Sequence, residues 1–352
     1  MTSKKPKILV ALSGGVDSAV ALYLLKKQGY EVEAAFMKNF SEKVNLKGEC
    51  PWKEDRIMAY RVAAFLGVNI RTFDFEKEYH EKVVNYIFDS YQNGLTPNPD
   101  ILCNNEIKFK LFLEKAIELG FDKIATGHYA KVKKDRHGYH LMRAKDNNKD
   151  QSYFLSGLTQ TQLSKALFPI ADLIKPKVRQ IAKLVSLPNA SRPDSQGICF
   201  IGKIDLKTFL SQKIKPKVGE IVDTNGKKIG EHQGVWYYTI GQRQGLNLAG
   251  GPWYIVAKDL AQNQITVAKE GDLKLYKNTL QISSLHWLNK EYKLPLKAKA
   301  QIRYRQPEQD LTIKKQDNNI IAEFKNAQKG VASGQILAIY KGKELIASGQ
   351  II

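Results

Sequence analysis

The amino-acid sequence predicts an α/β protein with a doubly wound parallel sheet, followed by a small β-rich middle domain and a C-terminal β-barrel domain. Two observations carry this prediction. Strand-like and helix-like segments alternate through the first third of the chain. After about Lys213 this rhythm gives way to short runs of β-branched and aromatic residues between glycine turns, of which Asn225-Gly226 is the clearest. We expect domains over residues 1–212, 213–277 and 278–352.

The alternation can be followed element by element. Runs of strand length begin the pattern and recur between helices, at residues 8–12, 32–37, 70–73 and 123–126. Helical spacing or glycine stops mark the intervening helices, at residues 19–28, 52–66, 79–91 and 105–119. Ligands of such sheets bind at the carboxyl ends of the strands, which is where Met37 and Gly127 fall.

The later segments are less regular. Lys131 to Asp150 is typical of a polar hairpin with a turn at His137-Gly138, and Leu158 to Leu187 is helical in pieces, interrupted at Pro169 and Pro176. From Leu280 onward short strands alternate with turns, including Ala332 to Gln335. The boundary between the last two domains is expected near residues 275–280.

Composition limits the possible functions. The net charge is +20 and the pI is about 9.6, and the basic surplus is spread over both parts of the chain. This favours a polyanionic partner, although a lysine-rich proteome would give the same bias. There are no 18 consecutive apolar residues, so no transmembrane helix is expected. A strand that begins at Ile8 leaves no room for a signal or transit peptide, and we expect a cytoplasmic protein.

The chain contains three cysteines, too few for a secreted disulfide framework. The absence of a Cys-x-x-Cys pair argues against a zinc ribbon or an iron–sulfur cluster. No His-rich constellation is visible among the six histidines, and we assign no metal ligands.

Ser13-Gly14-Gly15-Val16-Asp17-Ser18 follows the first strand and opens the first helix. Glycines and free N–H groups at a helix N-terminus cradle phosphate, and the serine hydroxyls can donate to its oxygens. Asp17 requires a cation such as Mg²⁺ between its carboxylate and phosphates. The motif is not the Gly-x-x-x-x-Gly-Lys loop of common nucleotide triphosphatases. The alternative is a glycine turn that only reverses the chain.

Cys103 lies just ahead of the helix expected from Asn105, where the helix N-terminus would favour the thiolate. Asp100 precedes it by three residues and could exchange a proton with it. Cys199 lies in a loop that contains Gly197. Cys50 has no neighbouring base that we can assign. For each cysteine the alternative is a small buried apolar residue.

Seven blocks occur in order along the chain. They are Ser13–Ser18, Asn98-Pro99-Asp100-Ile101-Leu102-Cys103-Asn104, Ala125-Thr126-Gly127-His128-Tyr129, Lys149–Leu155, Ser195–Ile201, Tyr238–Arg243 and Arg303-Tyr304-Arg305. Together they resemble the bacterial tRNA 2-thiouridylases of the MnmA family, within the PP-loop ATP pyrophosphatase superfamily. The resemblance implies an adenine nucleotide α-hydrolase-like sheet and spans Ile8 to at least Arg305. Residues 306–352 carry no matching motif.

The resemblance implies sulfur transfer to C2 of the wobble uridine of tRNA, after ATP adenylates the C2 oxygen and pyrophosphate leaves. Cys199 would receive sulfur as a persulfide from a cysteine desulfurase or a relay protein. Cys103 would release that sulfur and leave a disulfide with Cys199, while Asp100 moves a proton. The chemistry requires the two thiols to meet, with Cα atoms within about 7 Å.

The same resemblance implies the binding residues. ATP would be bound by Ala11, Leu12, Ser13, Gly14, Gly15, Val16, Asp17 and Ser18, with Mg²⁺ at the phosphates, and its adenosine part by the backbone of Met37 and Gly127. Asn98, Pro99 and Asp100 would surround the extruded base, and Lys149, Asp150, Gln151, Arg303 and Tyr304 would contact the tRNA.

Two other functions are compatible with parts of the sequence. A ligase that adenylates a small molecule would use the phosphate loop but neither cysteine. An RNA-binding protein with a vestigial nucleotide site would account for the charge but not for Asp17 and the two cysteines. For Arg303 to Arg305 the alternative is an exposed strand.

Overall fold

The structure is a computed structural model that describes residues 5–41, 51–194, 197, 199, 201 and 206–352. Cys50 and the motif residues Ser195, Gln196, Ile198 and Phe200 lie outside the described residues. None of the helices in the described ranges combines the length and apolarity needed to cross a bilayer.

The N-terminal part contains a parallel sheet and a hairpin. Its strands are β1 Ile8–Ala11, β2 Val32–Lys38, β3 Ile70–Asp74, β4 Lys123–Ala125, β5 Ala130–Asp135, β6 Gly138–Arg143 and β7 Ala166–Leu167. Five of them form the sheet, in the order β3-β2-β1-β4-β7, and every pairing is parallel. The predicted parallel sheet is therefore confirmed. The two-residue strand β7 lies in a segment expected to be helical and adds an edge to the sheet.

Helices cover both faces of this sheet. They are α1 Val16–Lys27, α2 Pro51–Phe65, α3 Glu76–Tyr79, α4 Asn85–Gln92, α5 Pro99–Leu102, α6 Phe112–Glu118, α7 Gln160–Lys165 and α8 Lys175–Leu184. Ile8 and Val10 of β1 pack in the apolar cluster that contains residues of α1 and α8, whereas Leu9 packs in the cluster that contains residues of α6. The alternation of side chains along a strand thus gives the doubly wound arrangement.

Two helical stretches contain π-helical turns. His80–Val84 joins α3 to α4, and Cys103–Leu111 joins α5 to α6. The second stretch begins earlier than predicted, because Pro99 starts α5 and Asn98 caps it. Proline is favoured at the first position of a helix, where its missing N–H costs no hydrogen bond. The expectation that Cys103 stands at a helix N-terminus is therefore wrong.

The middle part is a four-stranded sheet in the order β10-β11-β8-β9, formed by β8 Gly219–Val222, β9 Lys228–His232, β10 Trp253–Asp259 and β11 Gln264–Lys269. A short helix, α9 Leu206–Ser211, precedes it. Ile221 and Ile265 share one apolar cluster with Tyr79, Ile87 and Cys103. The middle sheet therefore packs against the helices that carry one of the thiols.

The C-terminal part is antiparallel and closed. Its strands are β12 Tyr276–Ile282, β13 His286–Trp287, β14 Leu296–Gln301, β15 Gln309–Gln316, β16 Asn319–Lys329, β17 Ile336–Lys341 and β18 Glu344–Gln350. Six of them run in the order β12-β16-β15-β14-β17-β18, β13 pairs with β18 beside this path, and a bridge between Ile282 and Ile351 joins the last strand back to the first. The predicted barrel is confirmed. The hairpin β5–β6 extends this sheet, because β6 pairs with β18.

Candidate active site

The loop after β1 has the tight backbone of a phosphate cradle. Gly14 has a φ of +80°, and a Cβ added there would lie 2.4 Å from the carbonyl oxygen of Asp55. A Cβ added at Gly127, just after β4, would lie 2.6 Å from the backbone nitrogen of Ser18. Only glycine allows these approaches. The N-terminus of α1 and the end of β4 therefore lie against each other at the carboxyl edge of the sheet.

Serine hydroxyls hold the loop in shape. The Ser18 hydroxyl donates to the carbonyl oxygen of Gly15 at 3.0 Å and lies 3.2 Å from the Ser13 hydroxyl. From outside, Asn189 and Arg192 donate to the carbonyl oxygen of Gly14, at 2.9 and 3.3 Å. The Gly14 carbonyl oxygen therefore has its hydrogen-bond donors within the protein. The N–H groups at the N-terminus of α1 face the phosphate cradle.

A lysine already neutralises Asp17. The Lys175 ammonium lies 2.7 and 2.8 Å from its two carboxylate oxygens, and the Tyr129 hydroxyl donates to one of them at 2.8 Å. Burial, followed by the charge of Asp17, raises the pKa of Tyr129 far above its ordinary value. Sequence reasoning predicted a cation beside Asp17 but did not identify Lys175, which is distant in the chain.

Three cations converge on Asp194. Lys149, Lys175 and Arg179 lie 2.7, 2.8 and 2.5 Å from its carboxylate oxygens. Burial acts to raise the pKa of Asp194, but the hydrogen bonds from Lys149 and Lys175 outweigh it and hold the pKa well below its usual range. The cluster carries excess positive charge beside the loop, as an anionic ligand requires. Lys175, Arg179 and Asp194 carry no local motif that could have identified them.

Met37 and Gly127 lie on the two strands that flank β1, each at or just beyond a carboxyl end. The Met37 side chain is buried in the core beneath the sheet. Any ligand contact of Met37 must therefore be made by its backbone.

The structure brings the two candidate thiols into contact. Cys103, at the start of the π-helical turn, is completely buried, whereas Cys199 is half-buried, and both thiols are free. Cys199 packs against the apolar cluster that contains Cys103, and each thiol changes the pKa of the other. The backbone N–H of Cys199 donates to the Asp100 carboxylate at 2.9 Å, and the Tyr79 hydroxyl donates to the Cys199 carbonyl at 2.6 Å. Asp100, Cys103 and Cys199 thus form one cluster.

The two thiols differ in acidity. The hydrogen bond from Cys103 lowers the pKa of Cys199 to about 7, and the Lys108 ammonium acts in the same direction against the effect of burial. Burial, and then the neighbouring Cys199, raise the pKa of Cys103 well above its ordinary value. Cys199 therefore loses the first proton of the pair, contrary to the expectation that a helix N-terminus activates Cys103.

Lys108 is the functional residue that sequence reasoning missed. On an α-helix a residue five positions after Cys103 would point about 140° away, whereas the π-helical i to i+5 register aligns the two. The charges of Cys199 and Cys103 raise the pKa of Lys108 although burial opposes this. Burial, and then Lys108, lower the pKa of His128 well below its ordinary value. A neutral His128 thus lies 3.5 Å from the Lys108 ammonium and 2.7 Å from the Thr126 hydroxyl.

An aromatic cluster lies at the turn before Cys103, formed by Tyr304 from the barrel and by Tyr153 and Phe154 from the N-terminal part. The Tyr304 ring lies 4.3 Å from the ring of Phe154 and 6.2 Å from that of Tyr153, centroid to centroid. The hydroxyl of Tyr153 is hydrogen-bonded to Asn98 and donates to the carbonyl oxygen of Ile336 at 2.8 Å. Tyr304 therefore lies beside the predicted base-contacting turn, although it follows in the chain by some two hundred residues.

Comparison with known proteins identifies the family. Three family models match the chain in succession: a tRNA methyl transferase HUP domain over residues 6–203, a tRNA methyl transferase PRC-barrel domain over 207–269 and an aminomethyltransferase beta-barrel domain over 277–351. A tRNA-specific 2-thiouridylase MnmA of Lactobacillus delbrueckii subsp. bulgaricus is 45% identical over 360 residues, which cover 99% of this chain and 96% of that protein. The chain belongs to the MnmA family.

Other MnmA relatives extend over the same length. The protein of Flavobacterium johnsoniae is 43% identical, covering 98% of this chain and 99% of the relative. A second MnmA of Aliarcobacter butzleri is 42% identical, with 99% of each chain covered. Among solved structures, a 4-thiouridine synthetase–RNA complex with bound ATP covers 56% of this chain and 46% of that chain, at 16% identity and a TM-score of 0.35.

Not every residue predicted for tRNA binding by MnmA resemblance faces outward. The buried Asp150 carboxylate accepts from Arg143 and from the backbone N–H of Ala144, both at 2.8 Å, and from the Ser152 hydroxyl at 2.7 Å. The Gln151 side chain accepts from the backbone N–H of Tyr129 at 3.0 Å. Both side chains are thus engaged within the fold.

By contrast, Arg303 is exposed, and its guanidinium donates to the Lys329 carbonyl. Lys149 is half-buried and extends to Asp194 at the phosphate loop. Arg303 is thus the one predicted tRNA contact that is exposed, whereas Asp150 is buried and the others are half-buried.

Proposed function

We propose that this chain catalyses the ATP-dependent 2-thiolation of the wobble uridine of tRNA. The observation that carries the proposal is that Cys103 and Cys199 share one apolar cluster beside Asp100, which accepts the Cys199 N–H. Sulfur transfer through a persulfide requires two thiols that can exchange a bond, and an adjacent proton carrier. The family relationship supplies the substrate class, since the relatives are named as tRNA-specific 2-thiouridylases.

The proposed reaction balances as follows. The uridine C2 oxygen attacks the α-phosphorus of ATP, and pyrophosphate leaves, so that the oxygen becomes part of an AMP leaving group. The Cys103 thiolate attacks Sγ of a Cys199 persulfide, the S–S bond breaks and the terminal sulfur leaves with the electron pair. That sulfur attacks C2 and AMP departs. The Cys103–Cys199 disulfide that remains must be reduced by an external thiol before the next turnover.

The electrostatics of the cluster suit these roles. A Cys199 pKa of about 7 supplies thiolate to accept sulfur from a cysteine desulfurase or persulfide relay protein. The Lys108 ammonium stabilises negative charge on the sulfurs in a buried setting. Burial raises the pKa of Asp100, only partly offset by the Cys199 N–H, and a raised carboxyl pKa favours proton exchange near neutral pH.

The loop residues fit a nucleotide. Gly14 and Gly127 allow the backbone to pack closely around the loop, where a Cβ would collide with Asp55 or Ser18, and the cluster of Lys149, Lys175 and Arg179 supplies positive charge. The backbone N–H groups of Gly15 to Ser18 would bind the phosphates, and the backbone of Met37 and Gly127 would bind the adenosine part. Mg²⁺, when bound with ATP, would neutralise phosphate charge.

A tRNA anticodon loop suits the surface around the cluster. Its bases can leave the stack at low cost, and Asn98 and Pro99 with the Tyr304 ring provide a turn and a stacking face for an extruded base. Arg303 and Lys149 would contact phosphates. A net charge of +20 favours the polyanion, and with tRNA as substrate we expect the enzyme to act in the cytoplasm.

The family-model names refer to methyl transfer, and a PP-loop ligase would also use ATP. The paired thiols favour sulfur transfer over both, because neither methyl transfer nor ligation of a small molecule requires a persulfide carrier.

The test is mass spectrometry of nucleosides from tRNA incubated with the protein, ATP, Mg²⁺, a cysteine desulfurase and cysteine. We expect 2-thiouridine, AMP and pyrophosphate in equal amounts, and no 2-thiouridine from Cys103→Ser protein. A methylated uridine, or AMP formation without RNA when a small carboxylate is supplied, would overturn the proposal.

A further inference from the structure

We propose that a cavity at the junction of the three domains binds a phosphate group. The cavity has a volume of about 290 Å³ and is lined by Lys258, Lys274 and Lys277, with the hydroxyl residues Thr96 and Ser333. Thr96 comes from the N-terminal domain, Lys258 from the middle sheet and Ser333 from the barrel. Nothing in the reaction proposed above uses this cavity, which is separate from the loop after β1.

Lys258 is the centre of the argument. It is half-buried, and its ammonium donates to the carbonyl oxygen of Tyr238 at 2.9 Å. None of the residues that line the cavity in the described part of the chain is acidic. Burial alone lowers the pKa of Lys258 to about 8. A half-buried cation without a carboxylate is costly unless an anion completes the site.

The backbone directs this lysine into the cavity. The register of β10 against β11 shifts between Ile255 and Ala257. A bulge of this kind interrupts the alternation of a strand and redirects its side chains, and it is common beside binding sites. Val256, Ala257 and Lys258 consequently all line the cavity.

Two further lysines add positive charge at the opening of the cavity. Lys274 and Lys277 are both exposed, on either side of the buried Leu275. Three lysines line one space, and two of their ammonium groups also donate to main-chain carbonyls, Lys258 to Tyr238 at 2.9 Å and Lys274 to Thr224 at 3.3 Å. Each ammonium has further N–H donors, and together the three charges match the several oxygens and the charge of a phosphate. The chemistry therefore indicates a phosphate oxyanion rather than a single carboxylate.

The position connects the cavity to the thiol cluster. The Thr96 N–H donates to the Ser333 carbonyl at 2.8 Å, and Gln335 donates to the carbonyl oxygens of Thr96 and Pro97 at 3.0 and 3.1 Å. The next residue, Asn98, caps the helix that leads to Cys103. A phosphate held here would brace the segment that precedes the catalytic turn.

The phosphate could belong to an RNA backbone or to a free anion such as inorganic phosphate. The RNA source rests on the proposed function, whereas the free anion does not. Lys258→Gln separates the two sources, with Lys269→Gln as the matched control. Lys269 is exposed on the neighbouring strand, lies 5.1 Å from the Trp253 ring centroid and does not line the cavity.

The first arm measures tRNA dissociation constants at 50 and 200 mM KCl. Loss of one phosphate contact should weaken binding and reduce the ratio of the two constants about 3.5-fold, since each contact contributes about 0.9 to the salt slope. The second arm measures binding of inorganic phosphate by calorimetry. An RNA phosphate changes the first arm only, whereas a free anion gives a signal in the second arm that Lys258→Gln abolishes.

If Lys258→Gln and the exposed-site variant Lys277→Gln both match Lys269→Gln in both arms, the inference is wrong. A separate assay of 2-thiouridine formation at saturating tRNA tests the proposed function independently of the phosphate site. Absence of 2-thiouridine with wild-type protein would overturn the proposed function, whereas unchanged binding by Lys258→Gln would overturn the phosphate site alone.

Discussion

The side chains of Cys103 and Cys199 pack together in one apolar cluster, and the Asp100 carboxylate accepts the backbone N–H of Cys199 at 2.9 Å. One sulfur is fully buried on a helix and the other is half-buried on a loop. This asymmetry suggests an order of events, in which the more accessible and more acidic thiol accepts sulfur and the buried thiol displaces it.

Substitution of each thiol should therefore block a different step of sulfur transfer. With ³⁵S-cysteine and a cysteine desulfurase, Cys199→Ser should carry no label, because the acceptor is missing. Cys103→Ser should carry label that reducing agents release, yet pass none to tRNA. Gel autoradiography under non-reducing conditions and tRNA scintillation measure the two steps. Label on Cys199→Ser equal to that of the wild type would contradict the assignment.

Lys108 should contribute to the low pKa of Cys199. In the wild type, iodoacetamide alkylation of Cys199, followed by peptide mass spectrometry, should rise with a midpoint near pH 7. Lys108→Met should raise this midpoint by about one unit or more, because the nearby positive charge is lost. Lys108→Arg should largely restore it. Lys110→Met is the control, since Lys110 is exposed on the same helix; an equal shift there would argue against a local effect.

The same thiol links stability to pH. The pKa of Cys199 in the folded protein, about 7, lies below its ordinary value of 9.0. The thiolate therefore stabilises the fold above pH 9, and this contribution is lost progressively as pH falls toward 7. Urea unfolding of wild type and Cys199→Ser across this range should show a wild-type advantage that grows with pH. A difference independent of pH would contradict the lowered pKa.

Gly14 and Gly120 provide a matched pair of glycines. Their φ angles are +80° and +81°, but a Cβ at Gly120 meets nothing within 4 Å, whereas at Gly14 it lies 2.4 Å from the Asp55 carbonyl oxygen. Gly120→Ala should lose only about 1 to 2 kcal/mol of unfolding free energy, from backbone strain. Gly14→Ala should lose about 1 to 3 kcal/mol more and raise the KM for ATP. Urea unfolding measures the first effect, and pyrophosphate release at varied ATP measures the second. Equal losses of unfolding free energy in the two variants would mean that the loop moves to accommodate the added Cβ.

Substitutions of Asp150 and of its neighbour Lys149 should affect different properties. The first should lower the stability of the fold, and the second should weaken tRNA binding. Asp150→Ala removes the buried acceptor of Arg143, of the Ala144 N–H and of the Ser152 hydroxyl, while Glu308 still pairs with Arg143, and it should cost about 1 to 3 kcal/mol of unfolding free energy. Lys149→Gln breaks a partly exposed pair with Asp194 and should cost no more than about 1 kcal/mol, while weakening tRNA binding. Denaturant unfolding and filter binding distinguish them. Intact stability in Asp150→Ala would show that its carboxylate is not structural.

The amino-acid sequence by itself determined the order of strands and helices, the succession of short strands and turns in the C-terminal barrel and the phosphate loop after β1. These features are local, because alternation, helical spacing and glycine turns depend on neighbours within a few residues. The helix expected from Asn105 in fact begins at Pro99, because a proline can occupy the first position of a helix and Asn98 caps it.

Only the tertiary structure decided which charges and sulfurs meet. Lys175 neutralises Asp17, Tyr304 reaches the turn at Asn98 through Tyr153, and Cys199 meets Cys103, each across a long stretch of chain. Lys108 joins the thiols because a π-helical turn changes the angle between residues five apart. The physical reason is that acidity depends on burial and on charges a few ångströms away, and packing between distant segments sets those distances.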